Sequence, residues 1–212
     1  AAHFPLDEGT GLDEFAHNRE VYRFSIKWAQ EEDRHAHVLF TYRVKAGLDS
    51  AAALRRTLAV EGRRLFTLPP QGPAELFTYT LLQEKATQLF YQQFASVVRE
   101  PVLRRILVVL ARDEARHFAF FARVVGAYVE RYRGPAVAGM KDVIAHFKMP
   151  LATTLTNYWR WALRISEDVG GYDHTAAYEH LVRVVRRYAD AGTASRTHDL
   201  ADFVRRVRGV GP

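Results

Sequence analysis

Along most of the chain, apolar residues recur at three- and four-residue intervals, the spacing that puts them on one face of an α-helix. No stretch alternates apolar and polar residues for a useful length, so the pattern predicts an all-α protein. A loop is expected to lead into a first long helix between about Leu12 and Lys45, stopped by Gly47. "DSAAALRRTLAVEGRRLF" at 49–66 reads as a second helix with Asp49 or Ser50 as N-cap, and "LPPQGP" at 68–73 as a loop. A third helix is expected from Ala74 to Val98. A fourth begins near Pro101 and runs to about Arg131, stopped by Gly134-Pro135. Shorter helices fit 136–147, 150–165, 174–190 and 197–208. The three long helices suit a bundle, and no linker divides them, so one domain over 1–212 is expected.

Polar residues interrupt the apolar stripes in a repeated way. "EEDRH" at 31–35 and "DEARH" at 113–117 are the same acid-Glu-x-Arg-His written twice. The helical face of Glu32 also holds Ser25, Trp28, Ala29, His35, Ala36 and Leu39. That of Glu114 holds Leu107, Leu110, Ala111, His117, Phe118 and Phe121. Each motif is therefore expected to point a Glu and a His inward, where a lone carboxylate is costly. Glu31, between Lys27 and Arg34, reads instead as a residue of a solvated face. Glu84 is the acid in the interior of the third helix, and it shares its face with Phe77, Thr80, Leu81, Thr87, Gln88 and Tyr91.

Inward carboxylates and imidazoles on long helices have a metal-binding use. Two Glu-x-x-His helices, with two more giving one Glu each, hold a pair of iron or manganese ions. Carboxylates neutralise the cations, and oxygen and nitrogen ligands with open positions suit iron that meets dioxygen.

Composition narrows the classes. The chain has 212 residues, 48% of them apolar or aromatic, enough for a substantial core. It has no cysteine, which excludes disulfides, zinc–thiolate sites and cysteine-held iron–sulfur clusters and is compatible with a cytoplasmic setting. Lys and Arg outnumber Asp and Glu by 30 to 24, with a pI near 9.7. That balance fits an acidic partner (nucleic acid, an anionic membrane or an acidic protein) or simply an Arg-rich coding style. No aromatic-basic RNA motif, zinc finger or glycine-rich phosphate loop is present, which points away from nucleic acid. Apolar runs such as "ILVVLA" at 106–111 are too short to span a bilayer, and no secretory pattern opens the chain.

Taken together, these segments resemble the soluble acyl-carrier-protein desaturases of the ferritin-like superfamily. "KWAQEEDRHAHVLFTYRVKAG" resembles the family's Glu-Glu-x-Arg-His helix, "LLQEKATQLFYQQFA" its Gln-Glu-Arg-Ala-Thr helix, and "ARDEARHFAFFARVVGAY" its Asp-Glu-x-Arg-His helix. "VIAHFKMPLATTL" resembles the segment around a Met-Pro, and "GGYDHTAAYEHLVRVVRRY" the C-terminal helix after it. The resemblance implies a ferritin-like bundle and a dioxygen-dependent insertion of a cis double bond into an acyl chain on acyl carrier protein. It further implies two iron ions, a ferredoxin-type electron donor and a homodimer. By position, Glu32, His35, Glu84, Glu114 and His117 become iron ligands. Thr87 becomes a catalytic hydroxyl near the oxygen site, or stays an ordinary buried Thr. Asp113 orients a ligand His, or serves as partner of Arg116.

An acidic carrier calls for a basic rim, which Arg55, Arg56, Arg63 and Arg64 offer if they are more than a solvated face. Phe77, Tyr91, Phe118 and Phe121 are candidates for lining an acyl tunnel. Two departures stand out. Lys85 replaces the family's usual Arg, and the family's first ligand helix falls before residue 1. Asp7, Glu8, Asp13 and Glu14 sit at the wrong interval to replace it. Since the sequence opens without Met, a longer polypeptide with one more inward Glu is expected. Two other classes remain open: a di-iron oxidase or hydroxylase of a carrier-bound metabolite, and a non-catalytic relative lacking the first ligand helix.

Overall fold

In the computed structural model, residues 12–65, 72–132, 134–152, 154–168, 179 and 183 are described. Their regular structure is α-helical: α1 (Leu12–Lys45), α2 (Ala51–Glu61), α3 (Pro73–Val97), α4 (Pro101–Tyr132), α5 (Gly134–His146) and α6 (Tyr158–Asp168). No strand occurs among the described residues. The helices expected at 174–190 and 197–208, and Asp7 and Glu8, lie outside the described residues, apart from helical positions 179 and 183. The chain divides into two compact units, with the boundary after Arg55.

In the first unit the helix begins at Leu12, so the expected entry loop is already helical. Gly47 ends α1 with φ +72, a left-handed value that costs a Cβ-bearing residue more than glycine. The Leu48 and Asp49 amides turn back to donate to the Arg43 carbonyl, which closes the helix end. Asp49 accepts from Arg43 Nε at 2.7 Å, leaving Ser50 as the N-cap of α2, its Oγ accepting from the Ala53 amide at 3.1 Å. The Arg55 guanidinium lies over the Phe40 ring.

The second unit is organised by an α3–α4 hairpin. Pro73 sits at the start of α3, where its missing N–H is no loss. The Glu100 carboxylate accepts from the Val102 and Leu103 amides and so caps α4. Only residues 98–100 connect the two helices, which makes them antiparallel neighbours. Their contact is apolar: Phe77, Leu81, Leu107, Leu110, Phe121, Val125 and Val129 are buried. Phe77 packs on Phe121 and Tyr128 with ring centroids 6.2 and 5.5 Å apart. Gly134-Pro135 stops α4 as expected and at once starts α5, which packs on α3 and α4 and buries Met140 and Ile144. Tyr79 stacks near Phe147 and donates its hydroxyl to the Lys148 carbonyl, tying α3 to the segment after α5.

Two element boundaries differ from the sequence expectation. The second helix ends at Glu61 and turns at Gly62, so Arg63 and Arg64 lie beyond it. The helix expected at 150–165 begins only at Tyr158, after turns in which Leu151 and Asn157 take positive φ.

Candidate metal centre

The hairpin brings together three residues that lie on its apolar faces. Glu84 is on α3 and Glu114 and His117 are on α4, roughly equally far from the connection. Their exposures are 1%, 2% and 0%, among the lowest of the described residues. His117 Nδ1 lies 3.1 Å from Glu84 Oε2 and 3.2 Å from Glu114 Oε2, so one ring nitrogen sits between two carboxylates. One potential ligand atom from each of the three lies within 4.8 Å of the others.

Electrostatics shows what this arrangement lacks. Burial raises the Glu84 carboxyl to about 8, and the negative charge of Glu114 adds to the rise, while the hydrogen bond with His117 opposes it only in part. Below about pH 8 Glu84 therefore keeps its proton, and it ionises beside Glu114 in this dry interior only when a positive charge compensates. Glu84 Oε1 is buried and has no hydrogen-bond partner. An acceptor oxygen with nothing donating to it, beside a second carboxylate and an imidazole, fits a cation that takes O and N ligands.

The other predicted site residues fall as follows. Glu32 and His35 belong to the first unit, with His35 Nδ1 3.8 Å from Glu32 Oε1. His35 is buried, but the Glu32 side chain is 40% exposed. The assignment of its neighbour is corrected: Glu31 is buried, not solvated. Lys27 at 4.0 Å and Arg34 at 3.5 Å flank its carboxylate from adjacent turns, and this lowers the cost of burying the charge. Thr87 is half-buried, one turn on from Glu84. Asp113 is buried and pairs with Arg116 at 2.6 Å. Phe118 and Tyr91 are half-buried, whereas Phe77 and Phe121 belong to the core. Arg55, Arg56, Arg63 and Arg64 are all exposed, and Arg64 also binds Glu61 at 2.8 Å and the Thr156 hydroxyl.

The sequence marks Lys85 only as a departure from the family's usual Arg, not as a buried residue. It is buried, donates to Gln88 Oε1 at 2.9 Å and lies 4.7 Å from the centre of the Phe118 ring. Burial lowers its pKa, helped by the charge of Arg183. A signal did exist, since it is the only basic residue in the 25-residue α3.

Comparison with known proteins adds family context. The profile of a family described as "Fatty acid desaturase" matches residues 8–204. Acyl-[acyl-carrier-protein] desaturase 6, chloroplastic, of Oryza sativa subsp. japonica is 28% identical over 84% of this chain and 46% of its own length. Stearoyl-[acyl-carrier-protein] 9-desaturase 6, chloroplastic, of Arabidopsis thaliana is 31% identical over 55% of this chain and 31% of its own. The corresponding 9-desaturase of Simmondsia chinensis is 24% identical over 84% of this chain and 48% of its own. The chain thus spans less than half the length of these curated relatives. No solved structure matches it. Among the described residues, no helix is long and apolar enough to cross a membrane.

Proposed function

The chain belongs to the fatty acid desaturase family, and from that premise we propose that it is an acyl-[acyl-carrier-protein] desaturase-like oxidoreductase with two iron ions as cofactor. The observation that carries this reading is the buried Glu84–Glu114–His117 cluster, whose unpartnered Glu84 oxygen calls for a cation. The family resemblance adds Glu32 and His35 of α1 as further ligands. It also treats both units as parts of one desaturase-type domain over 1–212.

A bound pair of irons supplies dioxygen-dependent two-electron oxidation, the chemistry that an unactivated CH₂–CH₂ unit requires. Two hydrogens leave the acyl chain as the cis double bond forms. With two electrons from a ferredoxin-type donor and two protons, they reduce dioxygen to two waters. Glu84 and Glu114 provide the negative charge that holds the cations, and His117 provides a neutral nitrogen. Thr87, one turn from Glu84, carries the hydroxyl that relays a proton. Asp113, next to Glu114 in sequence, steadies the ligand helix through Arg116. The apolar α3–α4 surface keeps water from the reacting carbons. Exposed Arg55, Arg56, Arg63 and Arg64 receive the acidic carrier protein. The protein acts as a cytoplasmic homodimer in this reading.

Iron analysis combined with product analysis tests the proposal. The complete protein, produced with iron, is expected to hold about two irons per chain and, given reduced ferredoxin and acyl carrier protein charged with a saturated chain, to yield an alkene by mass spectrometry. A hydroxylated product would move the chain to the oxidase–hydroxylase class. Absence of bound iron from the complete protein would make it a non-catalytic relative.

A further inference from the structure

We infer that Lys85 is a positioning residue for the candidate metal centre, fixing the rotation of α3 against α4 so that Glu84 and His117 converge. The inference rests on the metal reading of that centre. Its basis is two contacts at one level of the hairpin. Glu84 of α3 meets His117 of α4 at 3.1 Å, and the very next residues, Lys85 and Phe118, meet with the ammonium 4.7 Å from the ring centre. Consecutive residues point about 100° apart around a helix. Added to the apolar packing along the hairpin, two contacts on different sides at the same height restrain rotation and sliding at the level of the site.

The chemistry of each partner suits this role. An ammonium can only donate, and Lys85 donates to the Gln88 side-chain oxygen within α3, which fixes the orientation of that buried amide one turn beyond Glu84. Its remaining charge is directed at the negative face of the Phe118 ring across the interface. No carboxylate pairs with Lys85 among the described residues, so its alignment depends on directional but weaker partners. A buried cation held this way is an expensive means of filling space. An apolar side chain of the same length would do so at lower cost. The family resemblance places Arg at this position, a second cation able to span the same gap.

Cobalt(II) loading of the complete protein tests the inference, because the visible bands of the ion report ligand geometry without any turnover. Lys85→Met is expected to bind cobalt about tenfold more weakly and with shifted bands, while the metal-free protein melts no lower than wild type. Lys85→Arg is expected to restore both affinity and bands. Phe118→Leu, which keeps the lysine and removes the ring, is expected to shift the bands in the same direction as Lys85→Met and decides the matter if that variant fails to fold. Wild-type affinity and bands in both Lys85→Met and Phe118→Leu would overturn the inference alone. A wild-type chain that takes up no cobalt would overturn the metal reading and this inference with it.

Discussion

Replacing Glu84 by glutamine should stabilise the metal-free protein, by an amount that depends on pH. Burial raises the Glu84 carboxyl from 4.5 to about 8. Between those values the folded chain keeps the proton and the unfolded chain loses it, so the folded state binds more protons. Stability must therefore fall as pH rises through this window. The loss is nil below about pH 4.5. It reaches roughly 3 kcal/mol at pH 7 and roughly 5 kcal/mol above pH 8, at about 1.4 kcal/mol per pH unit. An amide has almost the same shape, cannot ionise, and can still offer an N–H to Glu114 and an oxygen to His117. Glu84→Gln should thus match wild type near pH 4.5 and exceed it by roughly 3 kcal/mol at pH 7. Urea unfolding in a chelator, at several pH values between 4.5 and 8.5, measures the difference directly. Parallel curves for the two proteins would refute the burial argument. Added metal should reverse the order, because a cation is held by the carboxylate and not by the amide, and its uptake near pH 7 should release a proton.

Further outcomes are expected from other positions. Glu114→Ala should lower the iron content measured by elemental analysis, whereas Glu31→Ala should leave it unchanged, since Glu31 is occupied by Lys27 and Arg34. Leu110→Ala, at a residue 2% exposed between α3 and α4, should cost about 2–5 kcal/mol in urea unfolding. Gly47→Ala should cost about 1 kcal/mol, since a Cβ is disfavoured at φ +72 whatever the space around it. Changing Arg55, Arg56, Arg63 and Arg64 to Glu should weaken carrier-protein binding at low salt, and the difference from wild type should shrink as salt rises.

What the sequence disclosed, and what it withheld, follows from how local each signal is. The four long or capped helices rest on near-neighbour chemistry. Pro101, Gly47 and Ser50 act within one turn of themselves, so α1, α2 and α4 begin or end near where their sequence places them. The turns before α6 rest on Leu151 and Asn157 at positive φ, and because neither is glycine they gave no such signal. Glu84, Glu114 and His117 were readable because each stands on a broad apolar stripe, and a stripe that buries its neighbours buries the polar residue among them. On α1 the stripe is less clear-cut, and adjacent Glu31 and Glu32 differ by only one step around the helix. There the flanking cations, not the period, decide which carboxylate is buried. Lys85 carries no such local signal of its burial. Its burial depends on Phe118 from the other arm of the hairpin, a partner that no periodicity within α3 can reveal. A polar residue held by its own helix can be read from that helix alone, but one held across an interface appears only once the two helices are paired.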